Sequence, residues 1–242
     1  MDTKQIKANS STLLILNYLG MRKRIGKEWA TDLEIAQFFP HKLQKRSKQA
    51  ADARQALDNL LKAKYVVKKK IKEHNYKAIG EIGIDLFHEK KYFDQQVIAF
   101  EQQIKLAIEN DLPIVIHSRD SFDEIFEVLE TEKGDDLFGI FHCFTGSLAQ
   151  AKQAIGYNMK LGIGGVVTFK NGKIDQFLNQ IDIKHIVLET DAPYLSPAPH
   201  RGKRNQSSYL SLIASKVSAL YAISEAQVAE ITTANAAAIF KI

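Results

Sequence analysis

From Tyr76 onward the chain alternates short apolar runs with stretches of helical period, and this alternation restricts the fold more than any other feature. Apolar runs fall at 78–82, 113–116, 139–141, 160–167 and 185–188. Helical periodicity fills 95–109, 122–130, 148–156 and 174–180, and two further helices are expected at 209–220 and 225–239. Strands separated by single helices form a parallel sheet, because each crossover must carry the chain back to the same end. No internal repeat or low-complexity tract interrupts the pattern.

Chemistry is expected where these strands end. The run ending in Gly80 leads to Glu81, that ending in Ile116 to His117, that ending in Phe141 to His142, and that ending in Leu188 to Glu189, Thr190 and Asp191. Parallel strands point one way, so their ends share one rim, where barrel active sites sit. Glu81, His117, His142 and Asp191 offer carboxylate oxygens and imidazole nitrogens, a set suited to Zn²⁺, Mn²⁺ or Mg²⁺. Such an ion brings the pKa of a bound water toward ~7, and a carboxylate beside it can take the proton. Asp191 is the candidate for that role, with Glu81 as the second catalytic acid. Any one of these histidines alone is more simply a hydrogen-bonded structural residue; the argument lies in four such positions on one rim. His41, His74, His88 and His185 lack this placement and are read as structural or surface groups. Cys143, beside His142, is read as packing, since neighbours on a strand face opposite sides. The glycines at 162, 164 and 165 lie in a strand run with no helix start behind them. They are read as sites of close backbone or ligand approach rather than a phosphate loop.

Residues 1–74 differ in character. They hold 17 Lys+Arg against 7 Asp+Glu, whereas residues 75–242 hold 16 against 21. A sign change of this kind marks two modules, 1–74 and 75–242, and the basic one suggests a polyanion partner. Thr31 and Glu34 have capping-box spacing, Pro40 stops the helix they open, and 48–62 carries an apolar face opposite Lys48, Arg54 and Lys62. Tyr65 to Val67 then read as a strand running into Lys68, Lys69 and Lys70. Helices followed by a basic strand are the pattern of a winged helix-turn-helix able to touch duplex DNA; a plain three-helix packing domain has the same pattern. The single cysteine excludes an internal disulfide and fits a reducing compartment. No apolar run reaches membrane-spanning length, so a cytoplasmic protein with no membrane contact is expected.

Several local strings go further. AIGEIGID at 78–85, IHSRD at 116–120, FHCFTG at 141–146, ETDAPY at 189–194 and PHRGKRN at 199–205 resemble, in order and spacing, the signature segments of the TatD DNase family. TTAN at 232–235 resembles the family's closing segment. The resemblance implies an amidohydrolase-like β/α barrel and a metal-dependent deoxyribonuclease, often with 3′-exonuclease activity on single-stranded or nicked ends. It also implies that Glu81, His117, His142 and Asp191 bind one or two divalent ions. Around them, Arg119, His200, Arg201, Lys203 and Arg204 are candidates for phosphate contact, which a guanidinium makes in two-pronged fashion; Arg201 and Arg204 could instead pin their loop on a carboxylate such as Asp85. Asn205 is placed in the same substrate loop, which it could hold through backbone hydrogen bonds.

The sequence departs from this family at its start. Family members open on a strand carrying a His-x-His pair, and this chain contains no His-x-His. A partial TIM-like barrel of strands four to eight is therefore expected. It would leave two open sheet edges through which the chain could oligomerise, and catalysis would be weakened by the missing imidazoles. Two other readings stay open: a DNA-binding protein with a degenerate hydrolase part, and a hydrolase of amides or esters.

Overall fold

The computed structural model describes residues 76–87 and 90–242. The basic segment and its winged-helix pattern, with His41, His74 and His88, lie outside the described residues. Lys77–Ile242 forms one compact unit. Five strands, β1 (Ile79–Asp85), β2 (Ile114–Arg119), β3 (Gly139–Phe141), β4 (Met159–Ile163) and β5 (Ile186–Leu188), form one sheet in sequence order. Every neighbouring pair is parallel. The crossovers carry α1 (Phe93–Ile108), α2 (Phe122–Thr131) and α3 (Leu148–Gly156), and the chain ends in α4 (Leu210–Tyr221) and α5 (Glu225–Phe240). This is the parallel sheet that the alternation predicts, and it has the partial β/α barrel form that the family resemblance implies.

The expected helix at 174–180 is instead two 3₁₀ turns, Ile174–Gln176 and Leu178–Gln180, broken at Phe177. Its apolar residues Ile174 and Leu178 are buried all the same, so the period reported burial and not helix. The expected strand at 160–167 stops at Ile163, and Gly165–Thr168 is a 3₁₀ turn. Here a Cβ on Gly165 would stand 2.1 Å from the Leu195 carbonyl oxygen. The glycine allows the loop after β5 to lie directly against the chain leaving β4.

The sheet's two faces have different jobs. On the outer face Ile114, Ile116, Phe141, Leu161, Ile163 and Ile186 are fully buried, together with Phe100 and Ile104 of α1 and Ile125 and Leu129 of α2. On the inner face Val115, Ile140 and Val187 cluster with Ala78 and with Ile239, Ala236 and Phe240 of α5. Asn235 fastens α5 there, its amide donating to the carbonyls of Ile183 and Ile186 at 2.9 and 2.7 Å. Two residues beyond each inner-face position stand His117, His142 and Glu189, and a strand's period of two puts them on the same face. The apolar plug at one end of the inner face thus supports a polar cluster at the other.

β1 and β2 run further than the sequence suggested, because their pairing continues from Ile84↔Ser118 to Asp85↔Arg119. Gly83, at φ +136°, lies in this stretch, and a Cβ would meet the His117 carbonyl oxygen at 2.1 Å. Both the conformation and the contact exclude a side chain. Gly83→Ala is expected to lower stability by about 2–4 kcal/mol in urea denaturation. Gly134→Ala, whose Cβ meets nothing within 4 Å, serves as the near-neutral comparison. Equal midpoints for the two variants would refute this account of β1–β2 packing.

Candidate metal centre

Glu81 owes its position to an irregularity in β1. The ladder passes from Gly80↔Val115 to Ile82↔Ile116, so two steps on β1 match one on β2 and Glu81 is the extra residue. A bulge of this kind re-aims a side chain that regular alternation would place elsewhere. Glu81 and His117 therefore sit inside their strands rather than at the ends, whereas His142 directly follows β3 and Asp191 lies three residues beyond β5.

The four expected ligands come together. Glu81 Oε1 is 2.9 Å from His117 Nδ1 and 4.0 Å from His142 Nε2. His142 Nε2 is in turn 3.4 Å from Asp191 Oδ1. The opposite nitrogen of each ring is held by a further carboxylate: His117 Nε2 by Asp85 Oδ2 at 3.2 Å, and His142 Nδ1 by Glu189 Oε2 at 2.7 Å. Sequence reasoning assigned neither Asp85 nor Glu189 to this cluster. Glu189 could have been found by counting two residues on from the inner-face Val187.

Among the described residues no three His, Cys, Asp or Glu side chains stand in finished coordination geometry; the carboxylates pair directly with the imidazoles. The donor set still fits a divalent cation. It combines hard oxygens with imidazole nitrogens, and each ring has its outer nitrogen anchored on a carboxylate, as ligating histidines require. Glu81, His117 through Nδ1, His142 through Nε2, and Asp191 are the groups that would hold it.

The carboxylates also set the protonation of the rings. Burial alone would lower the pKa of His142, but the hydrogen bonds of Asp191 and Glu189 and the charges of Glu189 and Glu81 outweigh it, pushing the ring up to about 10. His117 is raised as well, burial being outweighed by Glu81 and Asp85. A folded pKa above the ordinary value means that the imidazolium stabilises the fold. That contribution is complete below about 6.5 and is lost as pH rises through about 10. Metal-free protein should therefore lose thermal stability between pH 7 and 10, and His142→Gln should flatten the profile. A divalent ion must displace the same protons, so its affinity should climb over this range with proton release measurable by calorimetry. A flat wild-type profile would refute the pairing.

The surroundings of Cys143 disfavour a thiolate, and the reason differs from the one the sequence offered. It lies beyond β3 at φ +46°, so strand alternation does not apply to it. Burial first, then the charges of Glu189, Asp191 and Glu81, push its thiol far above the ordinary range, where the reactive thiolate is scarce. His185 ends the 3₁₀ turn Ile183–His185 that precedes β5.

The expected phosphate contacts divide. Arg119 is exposed, with its guanidinium 3.5 Å from the centre of the Phe87 ring, and Arg201 lies likewise 3.4 Å over Phe169. Lys203 and Arg204 are exposed in the same loop as Arg201. Asp85 does not pin that loop: its two oxygens serve His117 and the Phe87 N–H. His200 stacks on Tyr209, ring centres 4.1 Å apart. Asn205 must be moved from the substrate contacts to the scaffold. It is 2 % exposed, and its amide donates to the carbonyls of Thr190 and Tyr194 at 2.5 and 2.6 Å. It clamps the segment that carries Asp191.

Comparison with known proteins places the chain in a family. The chain is 41 % identical over 166 residues to the metal-dependent hydrolase YabD of Bacillus subtilis, covering 68 % of this chain and 65 % of that protein. It is 30 % identical over 171 residues to the metal-dependent hydrolase YcfH of Escherichia coli K12, covering 70 % and 64 %. The chain thus spans a little under two thirds of these relatives' length. Among solved structures, the TatD homolog YjjV of Escherichia coli K12 superposes with a TM-score of 0.68 at 27 % identity, covering 72 % of this chain and 68 % of that one. A TatD family hydrolase from Entamoeba histolytica shares the fold, with a TM-score of 0.63 at 20 % identity over 86 % of this chain and 72 % of its own. The family model described as TatD related DNase matches residues 35–241, reaching back into the basic segment that the sequence pattern set apart. The chain belongs to the TatD-related DNase family.

Proposed function

We propose that this protein is a divalent-metal-dependent hydrolase of DNA phosphodiester bonds, with its reacting centre among Glu81, His117, His142 and Asp191. The single observation carrying this reading is the convergence of these residues from four strands, with Glu81 Oε1 at 2.9 Å from one imidazole and 4.0 Å from the other. Divalent metal use also has the support of the relatives' names. A divalent ion supplies, when bound, Lewis-acid activation of a water and of a phosphoryl oxygen.

The chain's own groups do the rest. Glu81 faces both rings and carries the negative charge that a cation between them needs. Asp191, held by the Asn205 clamp, orients the attacking water and takes its proton. Arg119, Arg201, Lys203 and Arg204 lie exposed and can receive the phosphates flanking the scissile bond. Phe87 and Tyr194 are 52 % and 47 % exposed, and Phe87 lies under the Arg119 guanidinium; exposed rings of this kind stack unpaired bases, which favours single-stranded or nicked ends over intact duplex. The test is nucleotide release from single-stranded DNA by the full chain, with and without Mg²⁺, Mn²⁺ or Zn²⁺. Divalent-ion-dependent release is expected, and none with any of the three ions would overturn the reading.

The charge of residues 1–74 and the missing His-x-His favour a second reading, a DNA-binding protein with a degenerate centre. It requires salt-sensitive duplex binding by the full chain, weakened when Lys68, Lys69 and Lys70 are neutralised, without turnover. Cleavage of an amide or ester panel in place of DNA would move the activity to another bond.

A further inference from the structure

Glu189 directly follows β5 on the inner face of the sheet, and its carboxylate is committed on both sides. Oε2 meets His142 Nδ1 at 2.7 Å, and Oε1 accepts from the backbone N–H of Cys143. Both partners belong to the segment leaving β3, so the side chain reaches from β5 across β4 to the far strand. It passes directly over Gly162 of β4, where a Cβ would stand 2.9 Å from Glu189 Cδ and 2.9 Å from the Phe141 carbonyl oxygen. The absence of a side chain at 162 is what allows this crossing. With both oxygens engaged, Glu189 is poorly placed to take a proton from water, and that task stays with Asp191.

We propose that Glu189 is a positioning residue: it keeps a proton on His142 Nδ1 and holds the ring so that Nε2 faces Glu81 and Asp191. The inference rests on the metal-centre reading above for its purpose, but its geometry is observed directly in the contacts of Glu189. A ring released from Glu189 could rotate about its side-chain torsions or offer either nitrogen, and the cation site would lose a fixed donor. The Cys143 N–H contact adds precision, because it ties the same carboxylate to the backbone beside His142.

The substitutions separate these roles. Glu189→Gln keeps the shape but has one acceptor oxygen for two donors, so either His142 Nδ1–H or Cys143 N–H faces an amide NH₂. Glu189→Asp keeps the charge but is one methylene too short to cross Gly162. Two measurements on the full chain decide the matter. In the first, ¹⁵N-histidine NMR of metal-free wild type should show a slowly exchanging Nδ1–H proton on His142, lost in Glu189→Gln. A wild-type His142 with no slowly exchanging proton on Nδ1 overturns the proposal, and this arm needs no variant to fold and no metal to bind. In the second, Zn²⁺ titration should show affinity reduced 10–100-fold in Glu189→Gln. Equal affinity in folded wild type and variant overturns the proposal while leaving the metal centre intact. Wild type that binds no Zn²⁺, Mn²⁺ or Mg²⁺ refutes the metal-centre reading instead, and the NMR result still decides whether Glu189 positions the ring.

Discussion

Asp191→Asn is expected to lower divalent-ion-dependent nucleotide release by a factor of about 10²–10⁴, the range that a positioned general base contributes. The substitution is nearly isosteric, and the backbone should tolerate it. Asp191 sits at φ +52°, a left-handed conformation that Asp and Asn adopt more readily than other side chains. The loop is also held independently, by the Asn205 amide on the carbonyls of Thr190 and Tyr194. What disappears is a negative charge 3.4 Å from His142 Nε2, and with it both a proton acceptor and a donor oxygen for the cation. The arginines proposed to contact phosphate lie elsewhere in the sequence, so the loss should fall on kcat with KM little changed. Release that survives Asp191→Asn would remove the carboxylate from the chemistry. Loss confined to KM would make it a binding group.

Much of this centre was readable in the sequence because parallel topology does most of the positioning. Once the strands ending near Ile116, Phe141 and Leu188 are recognised, His117, His142 and Asp191 must approach one another. What escaped depends on contacts between distant segments. Nothing local in AIGEIGID announces that Glu81 is an extra residue in the β1–β2 ladder; that is decided by how β1 registers on β2. Asp85 became visible only when the far nitrogen of His117 was seen to point at it, whereas Glu189, two residues on from Val187, had a signal in the strand period. The 174–180 segment misled for a related reason. Ile174 and Leu178 have helical spacing, but 3₁₀ turns bury the same pair. Asn205 lay in the substrate loop and holds it through backbone carbonyls, as the sequence allowed; its burial removes the substrate contact also expected of it.

Phe141→Ala is expected to reduce the unfolding free energy by about 3–5 kcal/mol, the range for truncating a buried aromatic. Phe141 is fully buried, and its ring centre lies 5.8, 5.7 and 6.2 Å from those of Phe122, Phe126 and Phe144. These rings join β3 to α2 and to the turn after β3, so little around the gap is free to collapse into it. Domains of this kind have about 5–15 kcal/mol in total, and one substitution would remove a large share. The effect should also reach the site. β3 is three residues long, Phe141 is its last, and His142 follows at once, so the outer-face ring anchors the inner-face imidazole. Urea denaturation should show the midpoint falling with an unchanged m-value, and Phe141→Leu should fall less because most of the volume remains. At concentrations of urea where the variant is still folded, its Zn²⁺ affinity should be weaker than that of wild type. A loss below about 1 kcal/mol would mean that the aromatic cluster does not close tightly around Phe141, and His142 would then need another anchor.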